Sequence, residues 1–376
     1  MRPTSPAWSP TITAAHRIAV RVSSWRSGQL LAVSVPITDG AVTYDDTAML
    51  KRRLTITVPA RMPDGTVWDP GDSADHPLAA YGQRLQLKLG IELPTRAVEL
   101  MEHGWYLITG WQRDESAGQI QVEAVDLAVL LEDARHYREE SPPAGNTYAQ
   151  EFTRLADGIL PTRIQGLPLT TTVNPQTVWE RERTKNLDDL CRAWGARWHV
   201  ADDGVLTASP AYAELTPTTP YVARLVSGRR GTVVARTRRG ERSTLYNAVV
   251  VNGKTSGTGE PAPFGVAEIT DPTSPIRVDG PYGRRPRFYA SELLTDNAQC
   301  LAAAHTMLTA ASSVSRSEPI QASPDPALEL GDVVQVATGG SSFTGRVTGL
   351  ALPLTASGPM TVTLASQPAA NDTQET

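Results

Sequence analysis

Cysteine, phenylalanine and lysine are all scarce in this chain of 376 residues. With only four phenylalanines, the cores must be built from aliphatic side chains, tyrosine and tryptophan. The two cysteines, Cys191 and Cys300, lie far apart on the apolar faces of two predicted helices, which favours buried free thiols over a disulfide. Four lysines stand against thirty-one arginines. This bias is typical of GC-rich coding DNA and has no folding cause.

Long apolar segments are absent as well. No apolar run approaches the roughly 18 residues that a membrane-spanning helix needs, so we predict no membrane span. The first residues, MRPTSPAWSP, contain no hydrophobic core and do not have the pattern of a signal peptide. The net charge of −5 argues against a dedicated nucleic-acid-binding protein. A chain of this length is expected to form about two to four domains.

Motifs that carry chemistry are not found. The six histidines show no metal-binding spacing, and the sequence has no HExxH, CxxC, G-x-S-x-G or phosphate-cradling loop. Adjacent carboxylates such as Asp45-Asp46 and Asp202-Asp203 point apart on a strand and make poor acid/base partners. We therefore predict no catalytic residue, no metal and no cofactor, and no enzymatic activity. A glycosidase pair that only the folded chain brings together stays open as an alternative.

Residues 14–126 have the pattern of a β-rich unit. Leu85, Leu87, Leu89 and Ile91 alternate with polar residues and glycine, which places them on one face of a strand that must be covered. Short strands separated by Gly, Asp and Pro indicate a small closed barrel or a sandwich. A short helix over Leu127–Ala134 closes this unit.

The next region, residues 136–223, changes to an α+β pattern. Tyr148, Phe152, Leu155 and Ile159 recur at helical spacing, which predicts an amphipathic helix over Asn146–Ile159.

A second helix with a hairpin follows at residues 186–209. Leu187, Leu190, Cys191 and Trp194 form one apolar helix face, with Asn186 as the expected N-cap and Gly195 as the left-handed end. Strands Ala196–Val200 and Val205–Ser209 then flank the turn Asp202-Asp203-Gly204, and His199 is expected on a face of this hairpin.

The last third of the chain returns to β structure. Tyr246–Lys254 has the pattern of a buried strand, and Thr255–Pro286 that of a long loop which we expect to lie against a neighbouring subunit. A helix is predicted over Thr295–Ala311. Its expected packing stripe is Ala298, Leu301, Ala302, His305 and Leu308. The final strands are predicted at Ser317–Ala322, Asp332–Ala337, Phe343–Leu350 and Thr361–Leu364.

An arginine-rich stretch, residues 224–242, is the one candidate contact region. It holds seven arginines and one glutamate. Such a stretch contacts an acidic partner or passing DNA, or is only a solvated hairpin. No aromatic residue alternates with these arginines, which weakens the case for single-strand stacking. The residues proposed for partner contact are Arg229, Arg230, Arg236, Arg238 and Arg239.

Four segments, in their order along the chain, resemble the hub proteins of phage tails and related injection machines. Asn186–Pro210 has their helix, then WG, then a hairpin on DGVL. Gly104–Asp133 is similar to their two strands followed by an aspartate that opens a short helix. Thr295–Ser313 is similar to their Ala-rich helix, and Pro324–Val336 (PDPALELGDVVQV) to their strand entry. The resemblance covers roughly residues 14–366.

The resemblance implies a β-rich α+β fold with two small β-barrel domains and α+β inserts, the barrels being two copies of one design. The domains expected on this basis are an N-terminal arm (1–13), a first β-barrel (14–135), an α+β insert (136–241), a second β-barrel (242–260 and 313–366), a loop and helix insert (261–312) and a disordered tail (367–376).

The implied function is that of a structural baseplate or tail hub protein in a virion, made in the bacterial cytoplasm. Three copies would form a pseudo-sixfold ring that joins the tail tube to the tail tip and passes DNA through its lumen. The implied partners are the tail tube protein, distal tail or tip proteins and the tape-measure protein. The alternative is a carbohydrate-binding or cell-wall-hydrolysing tail-tip protein, in which some of the eight tryptophans serve as sugar platforms. A secreted adhesin is a third option, which the missing signal-peptide pattern disfavours.

Overall fold

The computed structural model describes residues 1–213, 215, 218–228, 231–236, 245–253, 261–272, 274–290, 296–312, 318–338, 341–355 and 358–366. Contacts divide the chain into two compact units. Unit 1 comprises Met1–Arg236, Pro319–Gly340 and Arg346–Thr363, and unit 2 comprises Thr237–Glu318, Ser341–Gly345 and Leu364–Thr376. Within the described residues, no helix is both long and apolar enough to cross a membrane.

Strands greatly outnumber helices, so the predicted β-rich α+β class is confirmed. The helices are α1 (Trp8–Ile12), α2 (Val129–Asp133), α3 (Tyr148–Ala156), α4 (Arg183–Trp194) and α5 (Asn297–Ser312). The strands of the first two thirds are β1 (Ile18–Arg26), β2 (Gln29–Ala32), β3 (Asp39–Asp45), β4 (Arg52–Pro59), β5 (Arg84–Glu92), β6 (Val98–Asp114), β7 (Gln119–Asp126), β8 (Thr162–Ile164), β9 (Ala196–Val200), β10 (Leu206–Pro210), β11 (Ala223–Val226) and β12 (Val233–Arg236). The last third has β13 (Ala248–Asn252), β14 (Phe264–Glu268), β15 (Pro286–Ala290), β16 (Glu318–Ala322), β17 (Val333–Thr338), β18 (Ser341–Pro353) and β19 (Met360–Ser366).

The main sheet contains strands from both the N-terminal and the C-terminal parts of the chain. Its order is β12-β16-β19-β18-β3-β4-β7-β6-β5-β1-β2, and β17 adds to β18 and carries β11. The link between the two sequence regions is the antiparallel pairing of β18 with β3, from Gly349 opposite Asp45 to Pro353 opposite Ala41. The predicted division into five domains and a tail stays a prediction.

The apolar faces predicted for the first β unit are buried. Leu85, Leu87, Leu89 and Ile91 are fully covered, as their alternation along β5 requires. The N-terminal arm also contributes to the core, because Trp8 of α1 is fully buried and packs with Ile12, Ile91 and Ala327. The sequence predicted an N-terminal arm here, but it did not indicate which residues the arm packs against.

The helix-hairpin module of residues 183–210 folds as predicted, except at its start. Leu187, Leu190, Cys191 and Trp194 are buried, and Gly195 ends α4 with a left-handed φ of +70°. The expectation that Asn186 caps the helix is wrong. The helix begins at Arg183, and the Asn186 side chain exchanges two hydrogen bonds with the backbone of Glu180, so it holds the preceding loop instead.

Unit 2 contains a three-stranded sheet of its own, in the order β14-β13-β15, with α5 packed on one face. The expectation of a loop throughout Thr255–Pro286 is therefore wrong for β14, which pairs antiparallel with β13. The expected packing stripe of α5 is also wrong for all of its members except Leu308. The buried positions are Cys300, Ala304 and Leu308, whereas Leu301 is 43% exposed. Both cysteines are buried free thiols, as predicted.

Candidate functional site

The arginine-rich stretch is described at only one of its five proposed contact residues. Arg229, Arg230, Arg238 and Arg239 lie outside the described residues. Arg236 ends β12, opposite Ile320 of β16, and its Nη1 donates to Thr338 Oγ1 at 2.8 Å. The arginine side chain is half-buried. Whether the stretch faces a partner or the lumen stays a prediction.

A candidate site in unit 1 is an open polar pocket with an empty volume of about 730 Å³. Arg52 begins β4 and Lys51 precedes it, and β9 supplies Arg197 and His199. The segment that leads into β17 adds Glu329 and Asp332, and the N-terminal arm adds Arg2. Because the lining includes four cations and four carboxylates, the pocket is highly charged with little net charge.

Asp202 is the centre of the charge network beside this pocket. It lies in the tight turn between β9 and β10. Its Oδ2 accepts from Arg2 Nη2 at 2.9 Å and Nε at 3.1 Å, and its Oδ1 accepts from Arg52 Nη1 at 2.5 Å. Burial opposes ionisation of this carboxyl, but the charges of Arg52 and Arg2 outweigh it and lower the pKa of Asp202. The turn of the insert hairpin is thus held between the N-terminal arm and β4.

Arg2 is itself fixed on several sides. Its guanidinium also donates to the backbone oxygens of Glu102, Pro326 and Leu328, and only 7% of the side chain is exposed. The N-terminal arm therefore joins strand β6, the insert hairpin and the segment before β17 through one side chain. Charge-assisted, multiply bonded arginines of this kind are strong fixed contacts.

A buried tyrosine–histidine group lies next to the two arginines. Tyr44 Oη and His103 Nδ1 are 2.8 Å apart, and Tyr106 Oη donates to the His103 backbone oxygen at 2.8 Å. Burial, followed by the charges of Arg2 and Arg52, lowers the pKa of His103 well below its ordinary value, so the ring is neutral. Asp126 accepts the backbone N–H groups of Arg52 and Ala128, while burial raises its pKa.

Tyr212 contacts two arginines, of which Arg197 also lines the pocket. The guanidinium carbons of Arg197 and Arg346 lie 4.0 Å and 4.7 Å from the centre of the Tyr212 ring. Burial raises the pKa of Tyr212 to about 12. Gly331 allows the close approach of this ring, because a Cβ at that position would lie 2.4 Å from Tyr212 Cε1. The arrangement is a pair of cation–π contacts that packs side chains together.

The geometry of the pocket is that of a structural ion-pair network. The carboxylates of Asp202 and Asp126 are engaged by arginine or backbone donors. Within the described residues, no group of three or more His, Cys, Asp or Glu side chains is placed to hold a metal ion. His199 lies on β9 opposite Thr207, as expected for a hairpin-face residue, and burial lowers its pKa to about 4. All eight tryptophans belong to the described residues and each is buried or half-buried.

The whole chain is similar to solved structures of tail proteins. A tail protein from Neisseria meningitidis matches with a TM-score of 0.64 at 15% identity, over 93% of this chain and 97% of that one. The 43 kDa tail protein of prophage MuSo2 from Shewanella oneidensis matches with a TM-score of 0.60 at 12% identity, over 92% and 98%. A prophage tail protein from Listeria monocytogenes matches with a TM-score of 0.51 at 11% identity, over 93% and 95%. The chain has the fold of a phage tail protein.

The tail-protein fold confirms the resemblance that four short segments indicated. No protein-family model and no curated protein matches the chain. At such low identity, the order of short segments along the chain was the informative sequence signal, together with the helix–WG–hairpin module.

The sequence analysis did not predict the ion-pair network formed by Arg2, Asp202 and Arg52. Asp202 is the middle of an A-D-D-G turn, where an aspartate is ordinarily a turn residue that needs no partner. Arg2 and Arg52 are two of thirty-one arginines, and nothing local distinguishes them. Their partners lie 200 and 150 positions away along the chain, so no local pattern reports the pairing.

Proposed function

We propose that this protein is a structural hub protein of a phage or phage-like tail. The observation that carries the proposal is the match in fold along nearly the full length of both chains to tail proteins from three bacteria. A match that covers 97% of the Neisseria tail protein concerns the whole architecture and not one common module. Because fold by itself does not determine function, the site chemistry has to agree with the role.

The contacts of the charged side chains support a structural role. The charge network beside the pocket ties the insert hairpin to the N-terminal arm and to β4 through Asp202. Its groups are paired with each other, and the neighbouring His103 is neutral and buried. We infer that the protein is not an enzyme, and that this network keeps the insert in a fixed position on the main sheet.

The proposed assembly is a homotrimer in the virion tail. Three copies form a pseudo-sixfold ring between the tail tube and the tail tip, and the ring's lumen passes DNA and the tape-measure protein. A ring of this kind adapts a sixfold tube to a threefold tip when each chain supplies two equivalent contacts. The partners are the tail tube protein and distal tail or tip proteins.

The carbohydrate-binding or cell-wall-hydrolysing alternative has little support from the described side chains. Sugar platforms are exposed aromatic rings, yet Trp179, Trp194 and Trp198 are nearly fully buried. Trp111, on β6, is half-buried. The carboxylate of Asp202 is held by two arginines, which leaves it a poor general acid.

The experiment that tests the hub role is electron microscopy of particles made with and without the gene. We expect tails to be missing or unfinished without it, and a map of intact particles to show three copies at one level of the tail tip. Six copies or one copy at that level would overturn the ring. Normal tails without the protein would overturn the structural role itself.

The arginine-rich stretch has a separate test. A ring of arginines in the lumen would retain the phosphate backbone of passing DNA, so we propose that the stretch faces outward or binds acidic groups of an adjoining tail protein. In the triple variant Arg236→Glu, Arg238→Glu, Arg239→Glu, we expect a folded subunit that no longer assembles into tails. Normal assembly with slowed DNA ejection would place these arginines in the lumen.

A further inference from the structure

Buried polar atoms without a partner are concentrated in one place in unit 1. Among the described residues, eight buried side-chain nitrogen and oxygen atoms have no hydrogen-bond partner. Five of the eight belong to neighbouring side chains, which we call the arginine–tyrosine cluster: Arg197 Nε, His199 Nδ1, Ser209 Oγ, Tyr212 Oη and Arg346 Nε. Buried polar groups are nearly always hydrogen-bonded, so such a concentration indicates a place where a further polar group binds.

The β9–β10 hairpin places three members of the cluster on one face. Arg197 and His199 are two residues apart on β9, and Ser209 of β10 lies directly opposite Arg197. The other face of β9 carries Ala196 and Trp198, which pack in a hydrophobic core. Arg197 and His199 both line the open pocket, so the polar face of the hairpin is accessible from it.

Two positive charges share the ring of Tyr212. The guanidinium carbons of Arg197 and Arg346 lie 4.0 Å and 4.7 Å from the ring centre, and Arg346 Nη2 also donates to the Ala213 backbone oxygen at 2.7 Å. Within the described part of the chain, neither guanidinium forms an ion pair with a carboxylate. Burial lowers the pKa of Arg346, and the charge of Arg197 adds to this effect. The two arginines therefore lie together without a counter-charge.

The carboxylates that line the pocket have other partners. Asp46 pairs with Lys51 Nζ at 3.0 Å. Asp332 Oδ2 accepts from the Glu329 backbone N–H at 2.8 Å, and the Glu329 carboxylate lies 3.8 Å from Arg2 Nε. The pocket lining is nearly balanced in charge, but its internal pairing leaves the two arginines of the cluster unpaired. This imbalance favours an anion over a cation as the bound group.

We propose that the arginine–tyrosine cluster binds a carboxylate or phosphate group at Arg197. A guanidinium presents a planar fork of N–H donors that matches the oxygens of both groups, and the Ser209 and Tyr212 hydroxyls supply further donors. Water would satisfy the hydroxyls but would leave the arginines without a counter-charge. The open pocket, with its empty volume of about 730 Å³, accommodates the remainder of a molecule that carries the anionic group. The inference goes beyond the hub role and does not depend on it.

Titration with two small anions tests the site. Inorganic phosphate and glutarate are each titrated into the full-length chain by calorimetry, with chloride adjusted to hold the ionic strength constant. We expect saturable binding of at least one anion, with a dissociation constant on the order of 1 mM for so few contacts. Binding of phosphate alone would support a phosphate ligand, and binding of glutarate alone a carboxylate. Absence of saturable binding of both anions would overturn the inference.

Two arginine variants show whether binding occurs at the cluster. Arg197→Gln is expected to weaken anion binding about 30-fold or more, because it removes charge-assisted hydrogen bonds to the ligand. Arg163→Gln is the matched control, since Arg163 lies in the same three-stranded sheet but is already paired with Asp203. It removes the same charge and is expected to leave binding unchanged. Equal weakening in both variants would show a response to net charge only and would overturn the site.

Two milder variants keep the test decisive if Arg197→Gln does not fold. Arg197→Lys keeps the charge but loses the planar fork of donors, and we expect anion binding to weaken about 10-fold. Ser209→Ala removes one hydroxyl donor opposite Arg197 and is expected to weaken binding a few-fold. Circular dichroism of each variant checks that the chain is folded. Unchanged anion affinity in both folded variants would overturn the inference and would leave the hub role untouched.

Discussion

Helices α4 and α5 differ in how well the spacing of their apolar residues predicts which side of the helix is buried. In α4 the buried side chains, from Leu187 to Trp194, stand against exposed Lys185 and Arg192 on the other side. In α5 the buried residues are Cys300, Ala304 and Leu308, and the exposed side mixes apolar and polar residues: Ala298, Gln299, Leu301, Ala302, His305 and Thr306. The periodicity of apolar residues identifies a buried face only when the opposite face is polar. The stripe predicted for α5 lies mostly on its outward side, which carries uncharged residues, several of them apolar.

The strongest test of this comparison is Trp194→Ala. Trp194 is 7% exposed, stacks on Tyr148 at 5.9 Å between ring centres, and donates from Nε1 to the Pro168 oxygen. We expect a loss of roughly 3–5 kcal/mol in the free energy of unfolding, from lost burial and the cavity left behind. Urea unfolding measures it, with the exposed Arg192→Ala as control. A loss below 1 kcal/mol would show that the face of α4 is not packed as described.

Removing the charge of Asp202 is expected to have the next largest effect. Asp202→Asn leaves Arg2 and Arg52 with an uncompensated charge in a mostly buried place, and we expect a loss of about 3 kcal/mol. The neighbouring Asp203→Asn is the matched control. Its carboxylate is 50% exposed and its pair with Arg163 lies at the surface, so a change within about 0.5 kcal/mol is expected. Equal losses in the two variants would contradict the network.

The orientation of α5 is tested by comparing Leu308→Ala with Leu301→Ala. Leu308 is 8% exposed and Leu301 is 43% exposed. We expect Leu308→Ala to destabilise the monomer by about 2 kcal/mol and Leu301→Ala by less than about 0.5 kcal/mol. Denaturant unfolding at low protein concentration keeps self-association out of the measurement. A larger loss of stability in Leu301→Ala than in Leu308→Ala would contradict the described orientation of α5 and favour the stripe predicted from the sequence.

The smallest expected effect is a pH dependence at His199. Burial lowers its pKa to about 4 from an ordinary value of 6.5, so the unfolded chain binds the proton first as the pH falls. The free energy of unfolding should decrease as the pH falls from 6.5 to about 4. Below about pH 4, protonation of His199 should cause no further decrease. His199→Gln should flatten part of that slope, and the rest should remain because His103 is also kept neutral. An unchanged slope in the variant would show that His199 does not contribute.

Much of the local structure could be predicted because its causes are local. The alternation in β5, the apolar face of α4 and the left-handed Gly195 each depend on neighbours within one turn or one strand. The start of α4 could not be predicted from Asn186, because its side chain bonds to the Glu180 backbone in the preceding loop. Strand β14 was not predicted because it is only five residues long and lies in a Gly- and Pro-rich segment, whose residue types indicate turns.

The sequence by itself determined the β-rich class, the buried thiols, the helix-hairpin module and the order of segments that is similar to tail hubs. Only the tertiary structure decided which C-terminal strand joins β3, which side of α5 packs on its sheet, and which two arginines hold Asp202. The physical reason is the same in each case. The pairing of distant strands, the packed side of a helix without charged residues, and a long-range ion pair all depend on distant partners that leave no local pattern in the chain.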